Sequence, residues 1–151
     1  MPNHQTGRIT PIETRGNVAM SGCFGYELDL NTLSPEDLEK VRAQVKRIKE
    51  LRTTLLYGDF HRLISPYEGQ DTAWITVSQD KREAVFMFVR AMNQPATPPA
   101  LVKLRGLDEN KVYTIRETGE SYSGSELIHL GVSVHPGWGD AASISWTLEA
   151  E

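Results

Sequence analysis

The segment from Ser34 to Gly58, SPEDLEKVRAQVKRIKELRTTLLYG, constrains the chain more than any other, because its pattern fits one long amphipathic helix. Ser34 stands where an N-cap is needed and Pro35 suits the first helical position. Glu36 and Asp37 put negative charge in the first turn, with Asp37 at the capping-box position. Leu38, Val41, Val45, Ile48, Leu51 and Leu55 recur at steps of three and four and make one apolar stripe. Glu39, Lys40, Arg42, Lys46, Arg47, Lys49 and Glu50 fill the other side. Gly58 then ends the helix as a C′ glycine does. At ~1.5 Å per residue its roughly 23 residues extend about 34 Å, so the stripe needs a large partner.

Residues 1–15 have no helical or strand period and contain Pro2, Gly7 and Pro11, which predicts a loop. Asn3, His4 and Gln5 form a polar cluster of the kind carried by a rim loop, and a solvated tail has the same composition. Val18, Ala19 and Met20 read as a short strand buried on both faces, as in a parallel sheet or barrel. Ser21, Gly22 and Gly25 interrupt it where the backbone turns.

Beyond Gly58 the period changes. Strands are expected at 60–64, 73–78, 84–91, 101–105, 111–117 and around Ile144, Trp146 and Leu148, with turn residues between them. The run AVFMFVRA is nearly all apolar and predicts a central strand packed on both sides. Ser123 to Leu130 is expected to hold one helical turn. This spacing predicts a mainly β fold, an antiparallel sandwich over 58–151, with 1–57 as a separate unit.

At 151 residues the chain has room for one ordinary core, or for a β-domain with a piece of another attached. Its net charge of −4 is spread over intermixed acids and bases with no basic stripe, which argues against nucleic acid as a partner. The apolar runs are too short for a membrane span. The single cysteine, Cys23, excludes an internal disulfide and suits a reducing, cytoplasmic setting.

Catalytic patterns are missing. His4, His61, His129 and His135 are scattered, and Cys23 has no neighbouring ligand type, so no metal site is expected. Nor does any motif call for a cofactor, and Cys23 reads as a small buried thiol. Glu27 and Asp29 fall on one face of a possible strand, where a solvated edge is the simpler reading than a carboxylate pair acting on a sugar. Of the three tryptophans, Trp74 and Trp146 lie in strand patterns; Trp138, in the loop HPGWGD, is the one expected to be exposed and able to stack on a sugar ring.

The runs PNHQTGR, VAMSGCFGYELDL, LLYGDFHRLISPYEG, LVKLRGLDENKVYTI and SGSELIHLGV, in that order, resemble the C-terminal part of family-36 glycoside hydrolases, the bacterial α-galactosidases. The resemblance implies that residues 1–57 are the end of a (β/α)8 barrel, comprising a rim loop, the last strand and the last helix. It implies that residues 58–151 are the antiparallel β-domain packed on that barrel. In the family the nucleophilic aspartate lies in a Lys-Trp-Asp motif and the acid/base aspartate follows a serine. Here neither Trp74, Trp138 nor Trp146 precedes an aspartate and no Ser-Asp pair occurs, so no catalytic residue carries over. Ser21-Gly22-Cys23 also differs from the family's Cys-Ser-Gly-Gly sugar-binding motif.

The expectation is therefore a C-terminal piece of a retaining α-galactosidase, from a truncated gene product or an isolated domain, inactive alone. Its partner would be the catalytic barrel, through which alone it would meet a galactoside. The rival readings are a free-standing carbohydrate-binding module or one that forms a homo-oligomer through its helix stripe.

Overall fold

The computed structural model describes residues 5–151. Two helices lead, α1 (Ile12–Ala19) and α2 (Pro35–Tyr57), separated by a 3-10 turn at Leu30–Thr32. Strands follow: β1 (Asp59–Ile64), β2 (Asp71–Val77), β3 (Glu83–Arg90), β4 (Ala100–Val102), β5 (Val112–Ile115) and β6 (Ser121–Ser123). Helix α3 (Gly124–His129), β7 (Val132–Val134) and β8 (Ala142–Ala150) complete the chain. Six strands form one sheet in the order β1-β2-β3-β8-β5-β6, and β4 pairs with β7 in a second; all these pairings are antiparallel.

The alternation of β2, β3 and β8 sorts their side chains between two cores. Ala73, Ile75, Val77, Ala84, Phe86, Phe88 and Leu148 point to one face, where Val102, Leu104, Leu127, Val132 and Val134 from the small sheet and α3 close over them. The opposite face is smaller: Val85 and Met87 meet Met20 and Leu51, with Trp74, Phe24, Ile48 and Leu55 half-buried around them. The sheet is thus a sandwich on one side and a floor for helices on the other. The two-sided burial expected for AVFMFVRA is realised in β3.

Helix α2 starts as its sequence dictates. Ser34 is extended (φ −64°, ψ 155°), and its side chain accepts from the Asp37 amide at 3.1 Å. Its end differs from expectation. Gly58 is extended (φ −76°, ψ 167°) rather than left-handed, and is needed for clearance: a Cβ there would come within 2.6 Å of the Val77 carbonyl oxygen.

Two expectations fail at the start of the chain. Val18–Met20 is not a strand: Val18 and Ala19 belong to α1, and Met20 is its C-cap, its amide bonded to the Gly16 carbonyl. Residues 12–15, expected as loop, are its first turn after Pro11. The helix is short and mostly polar, and Gly16 masked it, since a glycine in a helix interior disfavours the state. Gly16 is required by packing, because a Cβ there would collide with the Gln44 side chain of α2.

Candidate functional site

The face that β8 turns towards the helices is polar. Ser143, Ser145 and Thr147 alternate with the core residues Ile144, Trp146 and Leu148, which suggests a solvated side. Instead α1 and α2 cover it. Thr14 Oγ1 donates to the Ala141 carbonyl at 2.6 Å and shares a 2.8 Å hydrogen bond with Ser143, to which Asn17 also donates. From α2, Arg47 Nη2 donates to Thr147 Oγ1, to the Ser145 carbonyl and to Glu117 Oε1. Burial pulls the Arg47 pKa down, and the Glu117 charge opposes that pull. At the other end of α2 the buried Thr54 hydroxyl bonds Glu83.

Helix α1 is held to α2 in the same way. Gln44 donates to the Ile12 carbonyl at 2.9 Å and accepts from the Tyr26 hydroxyl. Lys40 bridges Glu13 of α1 at 3.0 Å and Glu36 at 2.9 Å; Glu36 and Glu13 together hold its pKa above the usual lysine value.

The apolar stripe of α2 divides. Val41 and Leu51 are buried, but Leu38, Val45, Ile48 and Leu55 are only half-covered, and the polar Gln44 and Thr54 take the positions closest to the sheet and α1. Beside the half-covered part runs a groove of about 290 Å³ lined chiefly by Met20, Cys23, Phe24, Ile48, Leu55 and Leu56. Cys23 is exposed on its rim, contrary to the buried thiol expected.

The residues singled out in the sequence do not converge. Asn3 and His4 lie outside the described residues, and Gln5 is exposed at their edge. Glu27 and Asp29 are both exposed, and Asp29 is occupied as the cap of the 3-10 turn, accepting from the Asn31 amide at 2.9 Å. Among the described residues no three His, Cys, Asp or Glu side chains gather as metal ligands. His129 stands 3.1 Å from Glu109 at the surface, and His61 abuts Gly106. Trp138 is 88% exposed, its ring edge-on to His135 at 5.8 Å between centroids.

One charged pair escaped the sequence reading. Arg90, 2% exposed at the end of β3, donates from Nε and Nη2 to the two carboxylate oxygens of Asp71 at 2.7 and 2.8 Å. The signal was present: an arginine inside an apolar run packed on both sides must find a partner.

The profile of the glycosyl hydrolase family 36 C-terminal domain matches residues 71–148, more than half of the chain. The chain belongs to glycosyl hydrolase family 36. A melibiase profile matches residues 1–58, and residues 59–70 lie between the two matches. The family member α-galactosidase AgaA of Geobacillus stearothermophilus is 41% identical over 99% of this chain, which spans 20% of that enzyme. An α-galactosidase of Lactobacillus acidophilus is 44% identical over 86% of this chain, and 18% of its own length is covered. The crystal structure of the Geobacillus enzyme superposes with a TM-score of 0.95 at 40% identity, covering all of this chain and 21% of that one. The galactosidase domain of the α-galactosidase-sucrose kinase AgaSK of Mediterraneibacter gnavus gives 0.95 at 36% identity, with the same coverage. A Geobacillus variant solved in complex with raffinose gives 0.96 at 40%. This family-36 chain therefore spans about a fifth of the length of these relatives, and its antiparallel β-domain is the family's C-terminal domain.

Proposed function

We propose that this chain is the C-terminal part of an α-galactosidase that releases terminal α-galactosyl units from oligosaccharides, and that it supports the catalytic barrel rather than performing the chemistry. The observation that carries this reading is the match of the entire chain to about one fifth of α-galactosidase structures at a TM-score of 0.95. In this reading residues 1–57 are the last portion of the barrel, and residues 58–151 are the β-domain that buttresses it. The groove along Cys23, Phe24, Ile48 and Leu55 then faces the rest of the barrel, which gives the half-covered side of α2 its apolar partner. The polar cluster Asn3, His4 and Gln5 belongs to the rim of that barrel. Among the described residues no helix is long and apolar enough to cross a membrane, and the single free cysteine accords with a cytoplasmic enzyme.

Hydrolysis with retention needs two carboxyl groups about 5 Å apart across the scissile bond. Glu27 and Asp29 are the only acids near α1 that the sequence pattern pairs, and Asp29 is spent on a cap. The purified 151-residue chain is therefore expected to leave a chromogenic α-galactoside intact. Mixing it with the Geobacillus enzyme shortened by the matching C-terminal fifth is expected to restore activity. Turnover by the chain alone, or a shortened enzyme that is fully active without it, would overturn the reading.

A further inference from the structure

At one end of the large sheet three loops come together. The β1–β2 loop is tied to the β3–β4 loop by the Ala91 amide donating to the Gln70 carbonyl at 2.8 Å. The β7–β8 loop joins them through the Asn93 amide bonded to Asp140 Oδ1 at 2.8 Å and the Ala141 amide bonded to the Ala91 carbonyl at 3.0 Å. Between the first two loops lies a cleft of about 400 Å³, whose polar lining includes Glu68, Gln70, Asp71, Arg90, Gln94 and Thr97.

Arg90 gives the cleft its chemistry. Its Nε and Nη2 hold Asp71, but Nη1 donates to no protein group among the described residues. The side chain is almost wholly buried and yet lines the cleft, so the little surface it keeps opens there. Nη1 keeps some accessible surface and is a donor that a ligand oxygen in the cleft can meet. Charge selects the ligand. Asp71 neutralises Arg90 and Glu68 adds a further negative charge, so the cleft repels anions and favours a neutral molecule rich in hydroxyls.

Two exposed aromatic residues lie on the joined loops, outside the cleft lining. Tyr67, 92% exposed, sits on the β1–β2 loop, and Trp138 on the β7–β8 loop. The Trp138 loop is pinned on both sides of the ring: His135 Nδ1 accepts from the Gly137 amide at 3.2 Å, and Asp140 is bonded to Asn93. A large apolar ring held in water by a fastened loop is a preorganised face for the C–H side of a pyranose. We propose that this cleft is a saccharide-binding site, with Arg90 and Gln94 meeting hydroxyls, Thr97 Oγ1 left as an acceptor by its bond to the Gln94 carbonyl, and Trp138 stacking on the sugar from the adjoining loop. The proposal stands on the cleft's own chemistry and is independent of which reaction the longer enzyme performs.

The test is a titration of the isotopically labelled chain with raffinose, maltose and, separately, sodium sulfate, followed by backbone amide shifts and tryptophan fluorescence. At least one of the two sugars is expected to move the amides of Gln70, Asp71, Ala91 and Asn93 and to change the fluorescence. Trp138→Ala should abolish most of the fluorescence response and weaken binding roughly three- to tenfold. Gln94→Ala, a change at an exposed rim, should weaken binding without moving amides elsewhere. Shifts at these amides with sulfate alone, or none with either sugar at millimolar concentration, would overturn the proposal. So would unchanged affinity in both variants.

Discussion

Arg47 Nη2 lies 2.7 Å from Glu117 Oε1, and the other carboxylate oxygen of Glu117 accepts from the Thr147 amide at the same distance. One carboxylate thereby joins the middle of α2 to the end of β8. Replacing the arginine leaves Glu117 partly buried with an incomplete set of donors. Arg47→Met is expected to cost about 1–3 kcal/mol, the range for breaking a charged hydrogen bond in a half-buried setting. Glu117→Gln, which keeps the shape and an acceptor for Thr147, should cost less. Urea unfolding midpoints of the two variants test this order.

Leu51 packs α2 onto the sheet, 1% exposed among Met20, Val85 and Met87. Leu51→Ala is expected to destabilise by about 2–5 kcal/mol through lost transfer energy and a cavity. Ile48→Ala, nearly one turn earlier and only half-covered, should cost well under half as much. Thermal melts of the pair would show whether α2 is anchored at the sheet or along the groove.

Gly124 begins α3 against the Asp108 backbone: a Cβ there would fall on the Asp108 carbonyl oxygen, while the Gly124 amide bonds the Lys111 carbonyl at 2.8 Å. Neither neighbour is a flexible side chain, so the backbone must shift. Gly124→Ala should cost about 1–3 kcal/mol. Gly22→Ala, where a Cβ meets nothing within 4 Å, should be close to neutral. Equal denaturant midpoints for the two would contradict the close approach seen at α3.

The attachment of α1 depends on pH with a definite sign. A hydrogen bond from its own backbone amide, aided by Lys40, holds the Glu13 pKa below the ordinary 4.5. A depressed carboxylate pKa stabilises above the unfolded value, and that contribution disappears as pH falls through the folded one. Lys40, raised above its ordinary 10.5 chiefly by Glu36 and then by Glu13, contributes fully below that value and loses its contribution at more alkaline pH. Amide exchange in α1 should therefore be best protected, relative to intrinsic rates, between these limits. It should weaken first on acidification below the carboxylate range, and Glu13→Gln should flatten that response. An acid response unchanged by the substitution would exclude Glu13 as its source.

Periodicity made much of this architecture legible before any coordinates. The cap at Ser34, the buried run of β3 and the turn at Ser123 follow from local chemistry and take the places their residues indicate. Strands β6 and β7 escaped because three residues carry too little pattern to register. Helix α1 escaped for another reason: its stability comes from Thr14, Asn17 and Gln44, which bond to partners far along the chain. The polar side of β8 reads as solvated for the same cause, since alternation says where side chains point but not what covers them. Trp138 is exposed as its loop residues indicate. The Arg90–Asp71 pair is visible only once the register brings β2 beside β3.

Gly58 alone separates the last residue of α2 from the first of β1, and it is fixed at both ends, its amide on Thr54 and its neighbour Asp59 paired with Val77. A 23-residue helix so joined to an edge strand has no slack at the joint. Tilting the helix must pull β1 along its pairing with β2, so the two halves of the chain are mechanically geared: a disturbance at one is delivered to the other as force on a strand.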